Sequence, residues 1–396
     1  MIINFLIIIQ VHIMKILLLE WKSYCVPDII EAFSEAGHDV TTRTCQEMTE
    51  RNNPKFEQIL HKELEQHHYD IVFTFNFFPI VSQSCTHEKV LYISWVYDNP
   101  LVTLYSCTVI NPYNRIFLFD YHTYEYFHTQ GITTVFYLPL CANTNRLCKE
   151  SVNTVVPHDI SFVGSLYTEP KQRLYDKLSK IDNYSKGYLD ALTMIQAHID
   201  GDFFLEKALT DSLLSAMQKV CPVTPNRDGA ETPAYIYAQY FLGRRATAIA
   251  RTDILNQLSK NNDVVVYTHE NCHDILPNAI YGGKIDYYDT MPSVFHNSKI
   301  NLNITLKTIQ TGIPLRAWDI LGCGGFLLSN FQQELCEYFI PGEDFIYYES
   351  IDDATEKAAY FLTHENERKE IAHNAFEKIA ASHTFHHRVQ TMFDLL

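Results

Sequence analysis

The stretch GIPLRAWDILGCGGFLLSN, residues 312–330, joins a short helical pattern to a glycine-rich corner and an apolar run. Pro314 lies near the predicted helix start, where its fixed φ angle fits and its missing N–H is not needed. Thr311 and Gly312 precede it, so the N-terminus of the helix is open and carries free N–H donors. An open helix N-terminus of this kind is suited to binding an anion such as a phosphate.

Two charged residues lie one turn apart in this helix. Arg316 is suited to forked contacts with a diphosphate, and Asp319 to accepting the two hydroxyls of a ribose. The alternative is that the two side chains form an i, i+3 ion pair on the surface and bind nothing. From these residues alone both interpretations stay open.

The composition excludes some classes of partner. The chain has 396 residues, of which 46% are hydrophobic and 20% charged, so it is long enough for two domains with their own cores. Its formal net charge of -16 argues against nucleic acid and anionic membranes as main partners. A phosphate site must therefore be local. Ten cysteines without a C-x-x-C pair indicate reduced thiols in a cytoplasmic protein.

The N-terminal sequence MIINFLIIIQVHIMKILLLEW begins with an apolar run. It has no basic segment and no small-residue cleavage site, so it does not match a signal peptide. Polar residues interrupt it too early for a membrane span. We interpret residues 1–13 as an upstream extension before a first buried strand, with a membrane anchor as the alternative, and expect no stable membrane insertion.

Strand and helix patterns alternate through the first third of the chain. Apolar strand patterns such as KILLLEW, YDIVFTFN and KVLYISWVYDNP alternate with helical patterns such as VPDIIEAFSEAG and NPKFEQILHKELEQH. This alternation predicts a parallel sheet with helices on both faces. Functional side chains are then expected at the carboxyl ends of the strands.

A polar linker, CANTNRLCKESVNTVVPHD, leads into a second series of the same kind. It starts with a strand, a turn and a helix in ISFVGSLYTEPKQRLYDKL and continues with a helical region over residues 185–257. Strands are predicted at DVVVYTH, GGKIDYY, KINLNIT and GFLLSN, before two amphipathic helices. The fold class is therefore α/β, with two Rossmann-like doubly wound domains facing a cleft.

Two further groups are candidates in the second domain. Gly164 and Ser165 follow the first strand, where a glycine lets a phosphate approach the backbone. Asn303 and Thr305 alternate with Asn301 along INLNIT and face one side of a strand that we expect to be buried. They either contact the ligand or satisfy one another inside the domain.

In the first domain, Asp98 ends a strand and is a candidate catalytic group, or it forms an Asp-Asn-Pro turn. Asp120 also ends a strand, and a helix N-cap is the alternative to an acceptor contact. Trp21 and Ser23 follow the first strand and are expected to face the acceptor side of the cleft. The HTFHHR cluster lacks a carboxylate at metal-binding spacing, so no metal site is expected.

A resemblance to a known family rests on several ordered motifs. FVGSLY, YDTMPSVFHNSKINLNIT, GIPLRAWDILGCGGFLLSN, YYESIDDATEKAAYFLTHENERKEIAHNAFEKI and HTFHHR resemble those of the CgeB-like spore maturation glycosyltransferases. The resemblance covers residues 159–390, and KILLLEWKSYCVPDIIEAF, WVYDNP and YLPL extend it more loosely. Their second half belongs with the group 1 glycosyltransferases of GT-B fold.

The resemblance implies a GT-B enzyme with an acceptor-side domain at residues 1–142 and a nucleotide-sugar-binding domain at 143–383. A last helix, 384–396, is expected to return to the first domain. No metal and no cofactor are implied, because helix dipoles and basic side chains stabilise the leaving diphosphate.

The resemblance also implies roles for residues of the opening stretch. Asp319 stands five residues before Gly324, the position of a ribose-binding Glu in group 1 enzymes. Thr311 takes the place of another Glu, which lies near the donor sugar in those enzymes. Gly324 and Gly325 are expected to let the helix end pack closely on the next strand.

With this resemblance added, we expect a cytoplasmic glycosyltransferase of the hexosyl or N-acetylhexosaminyl type. Its donor would be a nucleoside diphosphate (NDP)-sugar, with a UDP-sugar favoured, and its acceptor a cell-surface, spore or protein glycan. One alternative is a GT-B nucleotide-sugar epimerase. Another is a two-lobed surface or assembly protein without catalysis, which Thr311 in place of Glu keeps open.

Overall fold

The computed structural model describes residues 13–149 and 156–396, which form two α/β lobes. Each lobe is built on one six-stranded sheet in which neighbouring strands are parallel. The two Rossmann-like domains expected from the strand–helix alternation are confirmed. The expected N-terminal extension lies outside the described residues, apart from Ile13.

The first sheet belongs to the N-terminal lobe and has the order β2-β1-β3-β4-β5-β6. Its strands are β1 (Lys15–Glu20), β2 (Asp39–Thr44), β3 (Ile71–Phe75), β4 (Leu91–Val96), β5 (Asn114–Leu118) and β6 (Val135–Tyr137). This is the flavodoxin-like order with one strand added. β3 is buried over its whole length, because helices cover both faces of the sheet.

The second sheet belongs to the C-terminal lobe and has the order β12-β11-β10-β7-β8-β9. Its strands are β7 (His158–Val163), β8 (Val264–Tyr267), β9 (Ile280–Gly283), β10 (Ser298–Asn303), β11 (Leu327–Asn330) and β12 (Ile346–Tyr348). Read from the other edge, this is the 3-2-1-4-5-6 order of a Rossmann fold. The strand order reverses between β7 and β10, and ligands of such sheets bind at the carboxyl ends of these strands.

Helices cover both sheets and fill the region between β7 and β8. They are α1 (Val26–Glu35), α2 (Pro54–His67), α3 (Pro79–Glu88), α4 (Tyr121–Thr129), α5 (Thr144–Leu147), α6 (Asn183–Ala197), α7 (Asp211–Val220), α8 (Pro233–Ile236), α9 (Gly243–Leu258), α10 (Thr290–Asn297), α11 (Leu315–Gly322), α12 (Gln333–Tyr338), α13 (Ile351–Thr363), α14 (Glu365–Ser382) and α15 (Phe385–Asp394). A π-helical segment, Tyr237–Leu242, joins α8 to α9. No helix of the described residues is long and apolar enough to cross a membrane.

Two local predictions were wrong. The helix expected after Ser165 is only a 3-10 turn, Leu174–Leu178, because Glu169 folds back to accept the N–H of Leu166. The strand expected at residues 282–288 ends at Gly283 instead. The carboxylate of Asp286 accepts the N–H groups of the next residues, 288 and 289, and so starts a turn before α10.

The chain returns to the N-terminal lobe at its end. α15 packs against α1, where the rings of Phe393 and Phe33 lie 6.1 Å apart. The guanidinium of Arg388 donates to the carbonyl oxygens of Pro139 and Leu140, at 2.9 and 3.1 Å. The last helix therefore packs against the N-terminal lobe at α1 and at the loop after β6.

Candidate active site in the cleft between the lobes

A cleft opens where the carboxyl ends of β4, β7 and β10 face one another. The N-terminal lobe contributes residues 97–100, which follow β4. The C-terminal lobe contributes the turn after β7, the end of β10 and one face of α9 and α11. β7 and β10 are the strands at which the order of the second sheet reverses, so the cleft lies where this type of sheet binds ligands.

Three guanidinium groups line the C-terminal side of the cleft: Arg244, Arg251 and Arg316. The first two lie seven residues apart on α9, which places them on one face of the helix. No carboxylate of the described residues forms an ion pair with either of them. Among the described residues, Arg316 has one carboxylate partner, Asp319, at 3.6 Å. The cleft is therefore locally cationic in a chain of net charge -16.

Arg251 joins the two loops that carry the site. It donates to the carbonyl oxygens of Ile304, at 2.6 and 3.1 Å, and of Ser165. Its guanidinium lies 5.1 Å from the ring centre of Tyr167 and 5.4 Å from that of Phe162. Burial lowers its pKa from the usual value. Arg251 is half-buried, and its hydrogen bonds go to carbonyl oxygens rather than to a carboxylate, so it keeps its attraction for an anion.

Asp98 lies opposite these arginines. Its Oδ2 accepts a hydrogen bond from Asn76 at 2.8 Å, and its own N–H donates to the same side chain at 3.1 Å. Solvent reaches the carboxylate, yet walls from both lobes surround it. The partial loss of hydration raises its pKa from the usual value, while Asn76 and the charge of Arg244 act in the opposite direction.

Four of the predicted donor-side residues line the cleft: Gly164, Asn303, Thr305 and Arg316. A Cβ at Gly164 would lie 3.3 Å from the Phe162 ring, so the wall is tightly packed there. The amide of Asn303 donates to the hydroxyls of Thr305 and Ser329, at 3.1 and 2.9 Å. The polar groups of these side chains are therefore hydrogen-bonded to one another, and Asn303 and Thr305 also form part of the cleft wall.

Ser165 follows Gly164 but takes another role. Its hydroxyl donates to the carboxylate of Glu169 at 2.9 Å and accepts the N–H of Tyr167 at 3.0 Å. Its side chain is therefore used to shape the turn after β7, and its carbonyl to hold Arg251.

Comparisons with known proteins concern the second half of the chain and the fold. Residues 245–394 match a family model described as "Glycosyl transferase-like". A search of curated proteins finds no match. Among solved structures, a glycosyltransferase from Rickettsia africae ESF-5 superposes with a TM-score of 0.57 at 9% identity, over 97% of this chain and 98% of that one.

Two more solved structures cover both lobes. Sucrose-phosphate synthase from Thermosynechococcus elongatus gives a TM-score of 0.56 at 10% identity, over 96% of this chain and 98% of that one. HepE of Anabaena, solved in complex with UDP and glucose, gives a TM-score of 0.54 at 11% identity, over 97% of this chain and 100% of that one. The chain has the GT-B fold.

The lobes of this GT-B fold also meet at a second place, which we call the closed contact. It is formed by residues 309–312 and Glu334 of the C-terminal lobe against residues 119–122 and Tyr137 of the N-terminal lobe. Glu334 accepts the N–H of Tyr121 at 2.8 Å and the hydroxyl of Tyr137 at 2.7 Å. Burial raises the pKa of Glu334 to about 7.

Three predicted site residues belong to the closed contact rather than to the ligand-facing part of the cleft. Asp120 is the N-cap of α4, and its carboxylate also accepts the N–H of Gln310 and the hydroxyl of Thr311, both at 3.0 Å. A Cβ at Gly312 would lie 2.9 Å from the Cα of Asp120 and 3.0 Å from the Phe119 ring. Thr311 and Gly312, expected on the donor side, therefore hold the lobes together.

Asp319 does not face the cleft. Its side chain is 1% exposed, and Oδ1 accepts the hydroxyl of Tyr287 at 3.0 Å. That hydroxyl lies 3.3 Å from the sulfur of Cys25 in the other lobe. Burial raises the pKa of Asp319 to about 6, although Arg316 and Arg146 oppose the shift. The i, i+3 ion pair between Arg316 and Asp319 is present, but the carboxylate is buried rather than on the surface.

Gly324 and Gly325 lie at the far end of α11, away from the cleft. Gly324 has a φ of 71°, which favours glycine, and a Cβ at Gly325 would lie 2.8 Å from the amide of Asn301. In the structure, these glycines allow the end of α11 to pack closely on β10.

Trp21 and Ser23 do not line the cleft either. Trp21 is half-buried against the apolar core of the N-terminal lobe. Ser23 donates weakly to the carbonyl of Trp21, at 3.5 Å, and lies near Tyr97 at the rim of the cleft.

Arg244 and Arg251 are the residues that the sequence analysis missed. The pattern GRRATAIAR contains the signal, since it places two arginines two helical turns apart on an alanine-rich helix. Which of its three arginines face the cleft depends on tertiary contacts. Arg245 points elsewhere and pairs with Asp190 at 3.0 Å.

A cluster of possible metal ligands within the described residues lies outside the cleft. His61, His87 and Glu88 have ligand atoms within 4.8 Å of one another, at the surface between α2 and α3. The histidines of HTFHHR take part in packing and capping contacts, and the ring of His383 lies 5.4 Å from that of Trp318. His387 bonds the hydroxyl of Thr384 at 2.7 Å.

Proposed function

We propose that this protein is a group 1, CgeB-like glycosyltransferase that moves a sugar from an NDP-sugar to an acceptor hydroxyl. The GT-B fold and the glycosyltransferase-like second half support this proposal. We favour a UDP-sugar as donor, because HepE, which shares the fold, was solved with UDP and glucose. The sugar transferred from the donor would be a hexosyl or N-acetylhexosaminyl group.

The observation that carries the proposal is the set of three arginines at the carboxyl ends of β7 and β10. When the bond between the anomeric carbon and the diphosphate oxygen breaks, negative charge develops on the diphosphate. Guanidinium groups already held in place stabilise that charge without reorganisation. We assign this task to Arg244, Arg251 and Arg316, with Gly164, Asn303 and Thr305 forming the wall beside the sugar.

Asp98 is our candidate for the group that handles the acceptor proton. The acceptor oxygen forms the new glycosidic bond, and its proton must leave as that bond forms. Asp98 faces the arginines across the cleft and keeps one carboxylate oxygen that accepts no hydrogen bond within the described residues. Its raised pKa makes the carboxylate a better proton acceptor than an ordinary aspartate.

The acceptor and the location are part of the same proposal. The resemblance of residues 159–390 to CgeB-like proteins favours a cell-surface, spore or protein glycan as acceptor. The cysteine spacing favours the cytoplasm. The cationic cleft supplies charge for the leaving group from side chains, so we expect transfer to proceed without added metal.

A thermal-shift series with UDP, GDP, CDP and TDP tests the donor half of the proposal. We expect UDP to raise the melting temperature, because a ligand that binds only the folded protein stabilises it by mass action. Arg244→Ala should weaken this shift, while Arg245→Ala, which changes the neighbouring arginine outside the cleft, should leave it intact. If no nucleotide shifts the wild-type protein, or if both variants behave alike, the donor site is not the cleft. Binding of UDP without hydrolysis or transfer of UDP-sugars would favour the non-catalytic alternative.

A further inference from the structure

A second pocket opens from the cleft at Asp98 and extends under the helical region of the C-terminal lobe. It lies between the ends of β4 and β5 on one side and residues 206–239 on the other. Its cavity volume is about 150 Å³, which is below that of a site for a whole drug-sized ligand. It would therefore take one end of a larger ligand.

The helical region is fixed against the N-terminal lobe at the edge of this pocket. The N–H of Ala230 donates to the carbonyl of Tyr105 at 2.7 Å, and Asp228 pairs with Arg51 at 3.1 Å. Residues of both lobes therefore form the pocket, and direct contacts between the lobes hold its edge in place.

Two acceptors in the pocket wall, Glu206 and Gln239, receive no hydrogen bond from the described residues. Gln239 is 8% exposed, and its buried Oε1 has no hydrogen-bond partner. The carboxylate of Glu206 lines the same pocket and forms no ion pair or hydrogen bond within the described residues. Burial raises the pKa of Glu206. Leaving such acceptors unpaired is costly, so a ligand that donates hydrogen bonds fits them.

The remaining wall is aromatic. The ring of Tyr105 lies 4.3 Å from that of Tyr235 and 6.2 Å from that of Tyr126. Flat aromatic surfaces beside hydrogen-bond acceptors suit a ligand with an apolar face and many hydroxyl groups. No lysine or arginine is among the described residues of this wall, in contrast to the cleft next to it.

From this arrangement we infer that the pocket binds the acceptor, and that the acceptor end is an uncharged or amino-bearing saccharide rather than a phosphorylated or sulfated one. The inference rests on the proposed function, because it takes the neighbouring cleft as the donor site. Glu206 and the amide oxygen of Gln239 would accept hydrogen bonds from hydroxyl or ammonium groups, and Tyr126 would lie at the entrance. Asp98, where pocket and cleft meet, would stand beside the reacting hydroxyl.

The probes are p-nitrophenyl glycosides of glucose, galactose, N-acetylglucosamine and glucosamine, with glucose 6-phosphate as the anionic counterpart. Binding to the full-length protein is measured by ligand-detected NMR without donor. We expect at least one neutral or amino glycoside to bind, and Glu206→Gln to weaken it about tenfold. Tyr126→Ala, at a half-exposed position that tolerates truncation, should weaken it as well. Glu57→Gln, which changes a half-buried glutamate on α2 outside the pocket, should have no effect.

Charge inversion gives the sharpest outcome. Glu206→Lys should reduce binding of the glucosamine glycoside and admit glucose 6-phosphate. Equal binding of glucose 6-phosphate and the neutral glycosides by the wild type would overturn the inference. So would the absence of glycoside binding at millimolar concentration, or insensitivity of binding to every Glu206 and Tyr126 variant. The UDP thermal shift of the same variants separates this failure from that of the proposed function, since UDP binding does not involve this pocket.

Discussion

The open cleft and the closed contact both lie between the two lobes, but they differ in whether their charged side chains are paired. In the cleft, Arg244 and Arg251 have no carboxylate partner within the described residues. In the closed contact, Asp120 and Glu334 accept donors from the opposite lobe at 2.7 to 3.0 Å. One part has charge available for a ligand, and the other uses its charge to fix the lobes.

This contrast separates residues that a sequence motif places together. Arg316 lines the cleft, whereas Gly312, four residues earlier, packs against the other lobe. Changes in the cleft should therefore reduce binding and turnover with little effect on stability. Changes in the closed contact should reduce stability first.

The largest effect is expected at Asp98, on the acceptor side of the cleft. Asp98→Asn should lower the transfer rate by about 10²- to 10⁴-fold, because an amide cannot take the proton of the acceptor hydroxyl. The wild-type rate should fall as pH drops through the raised pKa of Asp98, since only the deprotonated carboxylate is a base. The variant should lose this acidic limb. The measurement is the pH profile of kcat/KM with UDP-sugar donors.

Asp274→Asn is the matched control for this experiment, since it removes an exposed carboxylate outside the cleft. A rate for Asp98→Asn within threefold of the wild type would remove Asp98 from the chemistry. UDP binding should remain in both variants, because neither change touches the arginines.

Arg251→Lys tests the cationic side of the cleft. The substitution keeps the charge but loses the fork that spans the carbonyl groups of Ser165 and Ile304. We expect a loss of about 10²-fold in transfer rate, the usual scale for removing one preorganised donor to a developing negative charge. Arg245→Lys on the adjacent, ion-paired position should change the rate little. Equal losses in both variants would indicate a general effect on α9.

The contrast between cleft and closed contact also marks the limit of sequence reasoning. The two doubly wound lobes were predictable, because apolar strand patterns and helical patterns alternate along the chain and need only local information. Gly164, Asn303, Thr305 and Arg316 lie at the wall of the cleft in the structure, and their role in donor binding stays a prediction.

Other features depend on packing that no local pattern encodes. Asp319 looks equivalent to a ligand-binding acid in the sequence, but Tyr287, 32 residues earlier in the chain, covers it in the structure. Thr311 and Gly312 precede an open helix, but the other lobe lies against them. The absence of a carboxylate partner for Arg244 and Arg251 among the described residues could not be predicted, since it depends on which distant carboxylates approach them.

Glu334 tests the closed contact through pH. Its pKa is about 7 in the folded protein, above the ordinary value of 4.5, so the folded state binds this proton more tightly than the unfolded state. The stabilisation that protonation provides is complete below about pH 4.5 and is lost as pH rises to about 7. The loss from this group is about 3 kcal/mol at most. Glu334→Gln cannot ionise, so its free energy of unfolding should fall less than that of the wild type over this range.

Urea unfolding of the wild type and the variant at pH 5 and pH 8 measures this difference. Glu337→Gln, on the exposed side of the same helix, is the control and should follow the wild type. The same pH dependence in all three proteins would show that Glu334 is not ionising at the closed contact.

Gly312 gives the smallest expected effect and the most direct test of packing between the lobes. A Cβ there would lie 2.9 Å from backbone of the other lobe, which cannot move aside as a flexible side chain can. Gly312→Ala should therefore lower the free energy of unfolding by about 1–3 kcal/mol, the usual cost of overpacking. Gly187→Ala is its counterpart in α6, where nothing lies within 4 Å and helix propensity predicts a gain of about 0.5–1 kcal/mol. The same substitution would thus change stability in opposite directions at the two positions. If Gly312→Ala is neutral, the lobes are separable at the closed contact, and Thr311 becomes available to a ligand after all.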